Sequence, residues 1–462
     1  MKILSYCKES IQKIFKLWKG QILFDKDWSA NLCVAIILYV YLIGFFTFNF
    51  KVPESAYYLS DLLVIAALCG SVIRVFRGFF FSEVRIASIL LFILLGVGTF
   101  SAFFNGFHFN LWIWSGRNWG RYFVYFYLCI ALLNEKKADR ILKFTETLFH
   151  INFFAILIQF IFFYRKISQD AMNGLVGRTT SGANMILLIA TIVIVYSQYF
   201  SNKCSIKKIL CVLTEAAIIS VLAELKALIL FALALFGIML IVNFQAKTKL
   251  ILRYTMIILI LSAVAVISLR IIVTIYPYFE KLLSIEGLIN AVTTESGYGN
   301  SGYIDRLTAV RVINKYFFDD AGIWTKLFGL GMGNAEYSSV SMFTSEFYRE
   351  YGTTFKYLYF TVSSIYMEVG MVGLILFVSI PITLFIRCFI QIKRIHIKAG
   401  SGEMLFYENV GLGMTALSIM YIWYNNLHRT DLAFLLAFYI AVPISVKYHR
   451  LEYNTYHIRS LK

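Results

Sequence analysis

Charge and proline are both scarce in this chain, and acidic residues are the scarcer charge. Charged residues make up 15% of the 462, with 26 acidic against 43 basic, and there are four prolines. Hydrophobic residues are 59% of the chain and the mean hydropathy is +0.72. A soluble protein of this length could not cover that much apolar surface, so a water-soluble globular enzyme is excluded. No proline- or serine-rich linker, tandem repeat or low-complexity segment divides the chain, which leaves one domain. The seven cysteines (Cys7, Cys33, Cys69, Cys129, Cys204, Cys211, Cys388) show no metal-ligand spacing. None falls in a segment placed outside the cell, so neither structural disulfides nor zinc are expected. A Walker motif, HExxH, GxSxG and an aspartate-rich DxD motif are also missing. A nucleotide-dependent enzyme on the inner face would have no equipment here. No cofactor and no metal are expected, and chemistry on the outer side would need a substrate that is already activated.

What is present is a series of apolar runs, many reaching the roughly 18–20 residues that cross a bilayer. The expectation is an all-α polytopic membrane protein of about twelve transmembrane helices, with one large outer loop containing short helices. Spans are expected near 30–50, 58–76, 84–105, 117–134, 140–164, 182–200, 208–224, 226–244, 250–276, 357–387, 406–426 and 431–447. That divides the chain into a basic interfacial segment (1–29), spans one to nine (30–276), an outer loop (277–356), spans ten to twelve (357–447) and a tail (448–462). The first apolar run begins near Ala30 behind a lysine-rich segment, too late and without the cleavage pattern of a signal peptide. The net charge of +17 would suit a nucleic-acid partner. It suits the positive-inside rule better, because the basic gaps all fall on one side of this map. They hold Arg74, Arg77 and Arg85; Lys136, Lys137 and Arg140; Lys203, Lys207 and Lys208; Lys247, Lys249 and Arg253; and Arg387, Lys393, Arg394 and Lys398. Both termini are then inside, membrane lipid is the surrounding partner, and no nucleic acid is expected.

Against that bias, the outer gaps hold cations that need a reason. Arg117 and Arg121 start the fourth span, Arg178 stands in GRTTSGAN, and Lys226 stands in the tight turn AELKAL. Arg306 and Arg311 lie in the loop, and Arg429 lies between the last two spans. Arginine offers a planar fork of donors that suits a diphosphate; headgroup snorkelling would also satisfy these residues, and for Arg306 an internal carboxylate would do so too. Residues 303–317 are expected to be helical. At about 100° per residue, Leu307, Val310, Ile313 and Phe317 form a stripe that includes Arg306 and excludes Arg311. The run LFGLGMGN (327–334) permits a tight turn with close backbone approach to a ligand, or a plain loop turn. Tyr357, Thr361, Ser364 and Glu368 follow spacings of 4, 3 and 4 and are expected on one helix face lining a cavity. Glu215 is a second intramembrane acid.

These residues, in this order, resemble the Wzy-type polysaccharide polymerases and WaaL-type O-antigen ligases. The resemblance rests on GRTTSGAN before a span, AELKAL between two spans, an Arg-led loop helix with LFGLGMGN, and a span reading SSIYMEVGMVGLILF. It covers roughly residues 165–385. It implies metal-independent glycosyl transfer on the outer face of a bacterial cytoplasmic membrane. The implied donor is a glycan on undecaprenyl diphosphate, and the implied partners include a chain-length regulator and a flippase. Arg178, Lys226 (where the pattern has arginine) and Arg306 carry over as diphosphate-holding residues; Arg121 and Arg311, as outer cations, are expected to be further substrate-binding residues. Ligases place a histidine before the tenth span; Ser363 and Ser364 stand there instead. That favours a polymerase, with Glu368 or His428 as the base and Tyr357 and Ser364 near the substrate. The alternatives are a ligase, a lipid-linked oligosaccharide flippase, and a transferase with a monophosphate lipid donor. The last would use Glu54 or Asp61 in the first outer gap.

Overall fold

A backbone inside a bilayer has no water to bond with, so each apolar run must close its hydrogen bonds within itself as a helix. The computed structural model of the protein describes residues 27–163, 171–177, 181–225, 227–244, 304–397, 401–426 and 428–460, and isolated positions between 259 and 274. Among the described residues there are helices and no strand. The first nine are α1 (Trp28–Asn49), α2 (Leu59–Cys69), α3 (Val72–Phe79), α4 (Arg85–Phe104), α5 (Phe109–Leu132), α6 (Glu135–Phe163), α7 (Ser181–Phe200), α8 (Ile206–Leu222) and α9 (Ala227–Asn243). After them come short loop helices, among them α10 (Ala309–Ile313) and α11 (Ile323–Phe328), then α12 (Thr361–Ile397), α13 (Gly402–Tyr424) and α14 (Leu432–Ser460).

Six helices, α1, α4, α6, α7, α12 and α14, are long and apolar enough to cross a membrane, and α2 with α3 makes a seventh if that bent pair is one span. The fold is that of a helical multi-pass membrane protein. Helix α7 is its core, with 94% of its most apolar stretch buried by neighbouring helices. Helix α5 is too polar to pass on composition, since it carries Asn110, Arg117, Asn118 and Arg121.

Several boundaries differ from those expected. The second span is not one straight helix: α2 and α3 meet at 90° across Gly70 and Ser71. Helix α3 carries Arg74 and Arg77, which are costly in hydrocarbon, so a straight span through this stretch is disfavoured. The tenth span starts at Thr361 rather than 357, because Tyr357–Tyr359 form a separate turn before it, and it continues to Ile397. The helix expected over 303–317 begins later, as α10, and continues as a π-helical turn over Asn314–Phe318. Its buried side is Ala309, Val312, Ile313 and Phe318, while Leu307 is 59% exposed. The expected 448–462 tail is helical from its start, as the end of α14. Residues 1–26 and nearly all of 250–303 lie outside the described residues.

The end of the bundle bearing the lysine-rich gaps is tied by ion pairs. Arg387 Nε bonds Glu83 (2.6 Å) and its Nη1 bonds Glu408 (2.5 Å), while Lys447 also bonds Glu83 (2.6 Å). Glu408 is 1% exposed. Removing one partner of such a pair strands the other charge. Arg387→Met is expected to lower stability by about 3–5 kcal/mol. Adding Glu408→Gln should restore part of the lost melting temperature in detergent. A double variant no better than Arg387→Met alone would disprove this pairing.

Candidate active site

The opposite end of the bundle is built on a break in α12. Gly370 adopts φ 64° and ψ −162°, which interrupts the helix near its start. The carbonyls before such a break lose their helical partners. The run LFGLGMGN supplies replacements: Leu330 N–H donates to Met367 O (2.9 Å) and Gly331 N–H donates to Glu368 O (2.8 Å). Contact is backbone to backbone. A Cβ on Gly329 would lie 2.6 Å from Gly370 N, and one on Gly331 would lie 2.4 Å from Ala102 Cα in α4. On that second side Met332 N–H donates to Gly98 O (3.0 Å) and Ser101 Oγ donates to Gly329 O (3.1 Å). The close approach expected toward a ligand is therefore made to two helices.

Glu368 completes this joint. One carboxylate oxygen accepts from Ser115 Oγ and Trp119 Nε1 (3.0 Å each), and the other accepts from Gly333 N–H (3.2 Å). Its side chain is buried and pins the glycine turn to α5 rather than lining a cavity. The rest of the expected polar stripe is also internally bonded. Tyr357 donates its hydroxyl to Ala335 O (2.8 Å), Thr361 donates to Asn425 O (2.8 Å), and Ser364 donates to Thr361 O (3.1 Å). Ser363 bonds Tyr357 O and Phe360 O.

Arg306 lies elsewhere, just ahead of α10, at the loop-side ends of α12 and α13. It is half-buried, whereas Arg311 is exposed. That is the expected order, reached through a different helical frame. Arg306 Nε donates to Tyr424 O (3.0 Å), and the guanidinium lies over the rings of Tyr424 (4.9 Å) and Phe360 (5.4 Å). Two other motif segments arrive at the same helix end. A Cβ on Gly182, four residues after Arg178, would lie 3.5 Å from Asn425 Nδ2 and 3.9 Å from the Tyr421 hydroxyl. Phe231, five residues after Lys226, packs on Tyr424 (5.2 Å) and Tyr421 (6.3 Å). Arg178 and Lys226 themselves lie outside the described residues.

The approach to Arg178 is fixed by asparagines. Asn152 Nδ2 donates to Asn184 Oδ1 (2.9 Å) and Asn184 Nδ2 donates to Asn173 Oδ1 (3.0 Å). Leu175 N–H donates to Asn152 Oδ1 (2.7 Å). Asn184 is the last residue of GRTTSGAN, so this motif anchors its own lead-in segment.

The remaining cations are paired. Arg121 bonds Asp61 (3.3 Å) and Asp431 (2.9 Å), Arg117 Nε bonds Asp61 (3.0 Å), and Arg429 pairs with buried Glu336. All three are held by internal carboxylates, a pairing the sequence reading did not offer for them, and Asp61 is taken up in the same way. His428 is buried edge-on against Trp119 (5.6 Å) and Phe377 (6.0 Å). Burial, helped by nearby Arg121, pushes its pKa down to about 3, so the ring is neutral. Glu215 pairs with His150 (2.7 Å).

Sequence reading missed Ser115 and Trp119 as partners of Glu368, although their spacing of four places both on one face of α5. It also missed Glu336 and Asp431, whose arginine partners are distant in sequence and left no local signal. No protein-family model matches the chain, and no curated protein matches it.

Proposed function

We propose that this chain is a polysaccharide polymerase that joins undecaprenyl-diphosphate-linked repeat units on the outer face of a bacterial cytoplasmic membrane. The observation that carries the reading is convergence: the segments flanking Arg178 and Lys226, and Arg306 itself, meet around Tyr421, Tyr424 and Asn425 at the end of α13. Arg306 at that helix end, with the described flanks of the Arg178 and Lys226 motifs beside it, suits a diphosphate-lipid headgroup. Described helices lie at eleven of the twelve expected span positions, six of them long and apolar enough to cross a membrane, and the basic gaps of the sequence favour both termini inside.

The chemistry follows from that placement. An acceptor hydroxyl oxygen bonds to the anomeric carbon as the bond from that carbon to the diphosphate breaks. The diphosphate leaves with the electron pair, and the three cations stabilise the charge it gains. Neither expected base stands at Arg306: Glu368 is engaged in the glycine joint and His428 is sealed between aromatic rings. The hydroxyl proton passes to a diphosphate oxygen or to water, which a good leaving group tolerates.

The test is reconstitution with a purified undecaprenyl-diphosphate repeat unit as the only substrate. A ladder of longer lipid-linked products is expected. Transfer only after a separate non-polyprenyl acceptor is added would make the protein a ligase. Movement of the lipid across the bilayer without any new bond would make it a flippase.

A further inference from the structure

A second feature on the loop side is not used by the Arg306 corner. A cavity of about 440 Å³ opens between the turn joining α4 to α5 and the loop from Leu330 to Arg349. That volume is within the range of about 300–1,000 Å³ usual for small-molecule sites. Its wall mixes amides (Asn105, Asn110, Asn334), an imidazole (His108), one carboxylate (Glu346) and one guanidinium (Arg349). The wall is built rather than loose. The Asn110 amide donates to Met342 O, Asn334 Nδ2 donates to Asn105 O (3.1 Å), and Arg349 Nη2 donates to Ser341 O (2.8 Å). The first two bonds lace the turn to the loop, and the third fixes Arg349 within the loop. Phe347 adds a ring to the lining, held by Phe317 (5.1 Å) and Tyr357 (5.7 Å). His108, Asn105 and Glu346 are exposed.

This lining suits neither a diphosphate nor an alkyl chain. Glu346 would oppose an anion, and the amide oxygens with the exposed His108 and Glu346 side chains would lose water without a partner against hydrocarbon. It matches a ligand with many hydroxyls, apolar C–H faces for the Phe347 ring, and no large net charge. The geometry points to a glycan-binding site here, separate from the Arg306 corner, that holds the sugar portion of a lipid-linked chain. The polymerase reading explains why such a chain would be at hand; the match between lining and sugar stands without it. Because Leu330 and Asn334 belong to the turn docked in the break of α12, the site sits on a firmly held wall.

The experiment uses the full chain in nanodiscs and two probes: free oligosaccharide released by mild acid from the envelope polysaccharide of the source cells, and inorganic pyrophosphate. The native protein is expected to bind both. His108→Ala with Glu346→Ala, both at exposed positions, should weaken oligosaccharide binding about tenfold or more. Ser341→Trp should block it by filling the cavity. Neither change should alter pyrophosphate binding, which Arg306→Ala should reduce while leaving oligosaccharide binding intact. Oligosaccharide affinity unchanged in both cavity variants, or no oligosaccharide binding by the native protein, overturns the site. Oligosaccharide binding lost in those variants without any chain extension by the native protein would uphold the site and sink the polymerase reading.

Discussion

Arg306→Ala is expected to abolish visible chain extension while the protein still inserts and folds. The guanidinium is held by its Nε bond to Tyr424 O and by the faces of Tyr424 and Phe360, so it is positioned before substrate arrives. A preorganised donor aimed at developing charge contributes about 10²–10³-fold to rate. Arg306 is half-buried at the edge of the loop, so its removal should cost the fold less than removal of a fully buried side chain. Arg306→Lys should fall between the two: it keeps the charge but loses the planar fork and much of the ring stacking. Arg311→Ala should leave extension within about twofold of native, as expected for an exposed side chain. The readouts are ladder length in reconstituted vesicles and melting temperature in detergent. If Arg311→Ala were inactive and Arg306→Ala active, the corner around Tyr424 would not be the diphosphate site.

Much of this arrangement was legible in the sequence, and the reasons differ by element. The spans were readable because length and apolarity alone specify a helix in lipid. The breaks were not. Gly370 stands in a run that reads as one continuous span, and only the arrival of LFGLGMGN at that point makes its left-handed geometry useful. The two motifs that carried the resemblance were each quoted from the sequence, but their contact was invisible because it is made by backbone atoms. Glu368 looked like a catalytic acid for a related reason. An ionisable group in a span signals either chemistry or a structural partner, and its partners Ser115 and Trp119 lie some 250 residues away. Arg306 was ranked above Arg311 by a helical wheel that began too early, yet the order survived. The last turn before α10 still carries Arg306 toward α13, even though Leu307 turns outward.

Gly370→Ala is expected to be severely destabilising for a single added methyl. At φ 64° and ψ −162° an L side chain is strained by about 1–3 kcal/mol before any neighbour is considered. The added Cβ would also meet Leu327 C at 2.4 Å and Leu327 O at 2.5 Å, and these backbone atoms cannot swing aside. Relief requires the glycine turn to leave the break. The N–H groups of Leu330 and Gly331 then lose Met367 O and Glu368 O, and the Glu368 carboxylate loses Gly333 N–H. The combined loss should exceed about 3 kcal/mol and appear as a large fall in melting temperature, with new protease cleavage near 329–334. Gly96→Ala in α4 is the matched control, since a Cβ there meets nothing within 4 Å. Glu368→Gln separates the two roles open to that carboxylate. A pin that loses one acceptor oxygen lowers the melting temperature, and the protein that remains folded still extends chains. A base loses extension at an unchanged melting temperature. The three donors around Glu368 predict the first outcome; the second would restore Glu368 to the chemistry and require the glycine turn to open during turnover.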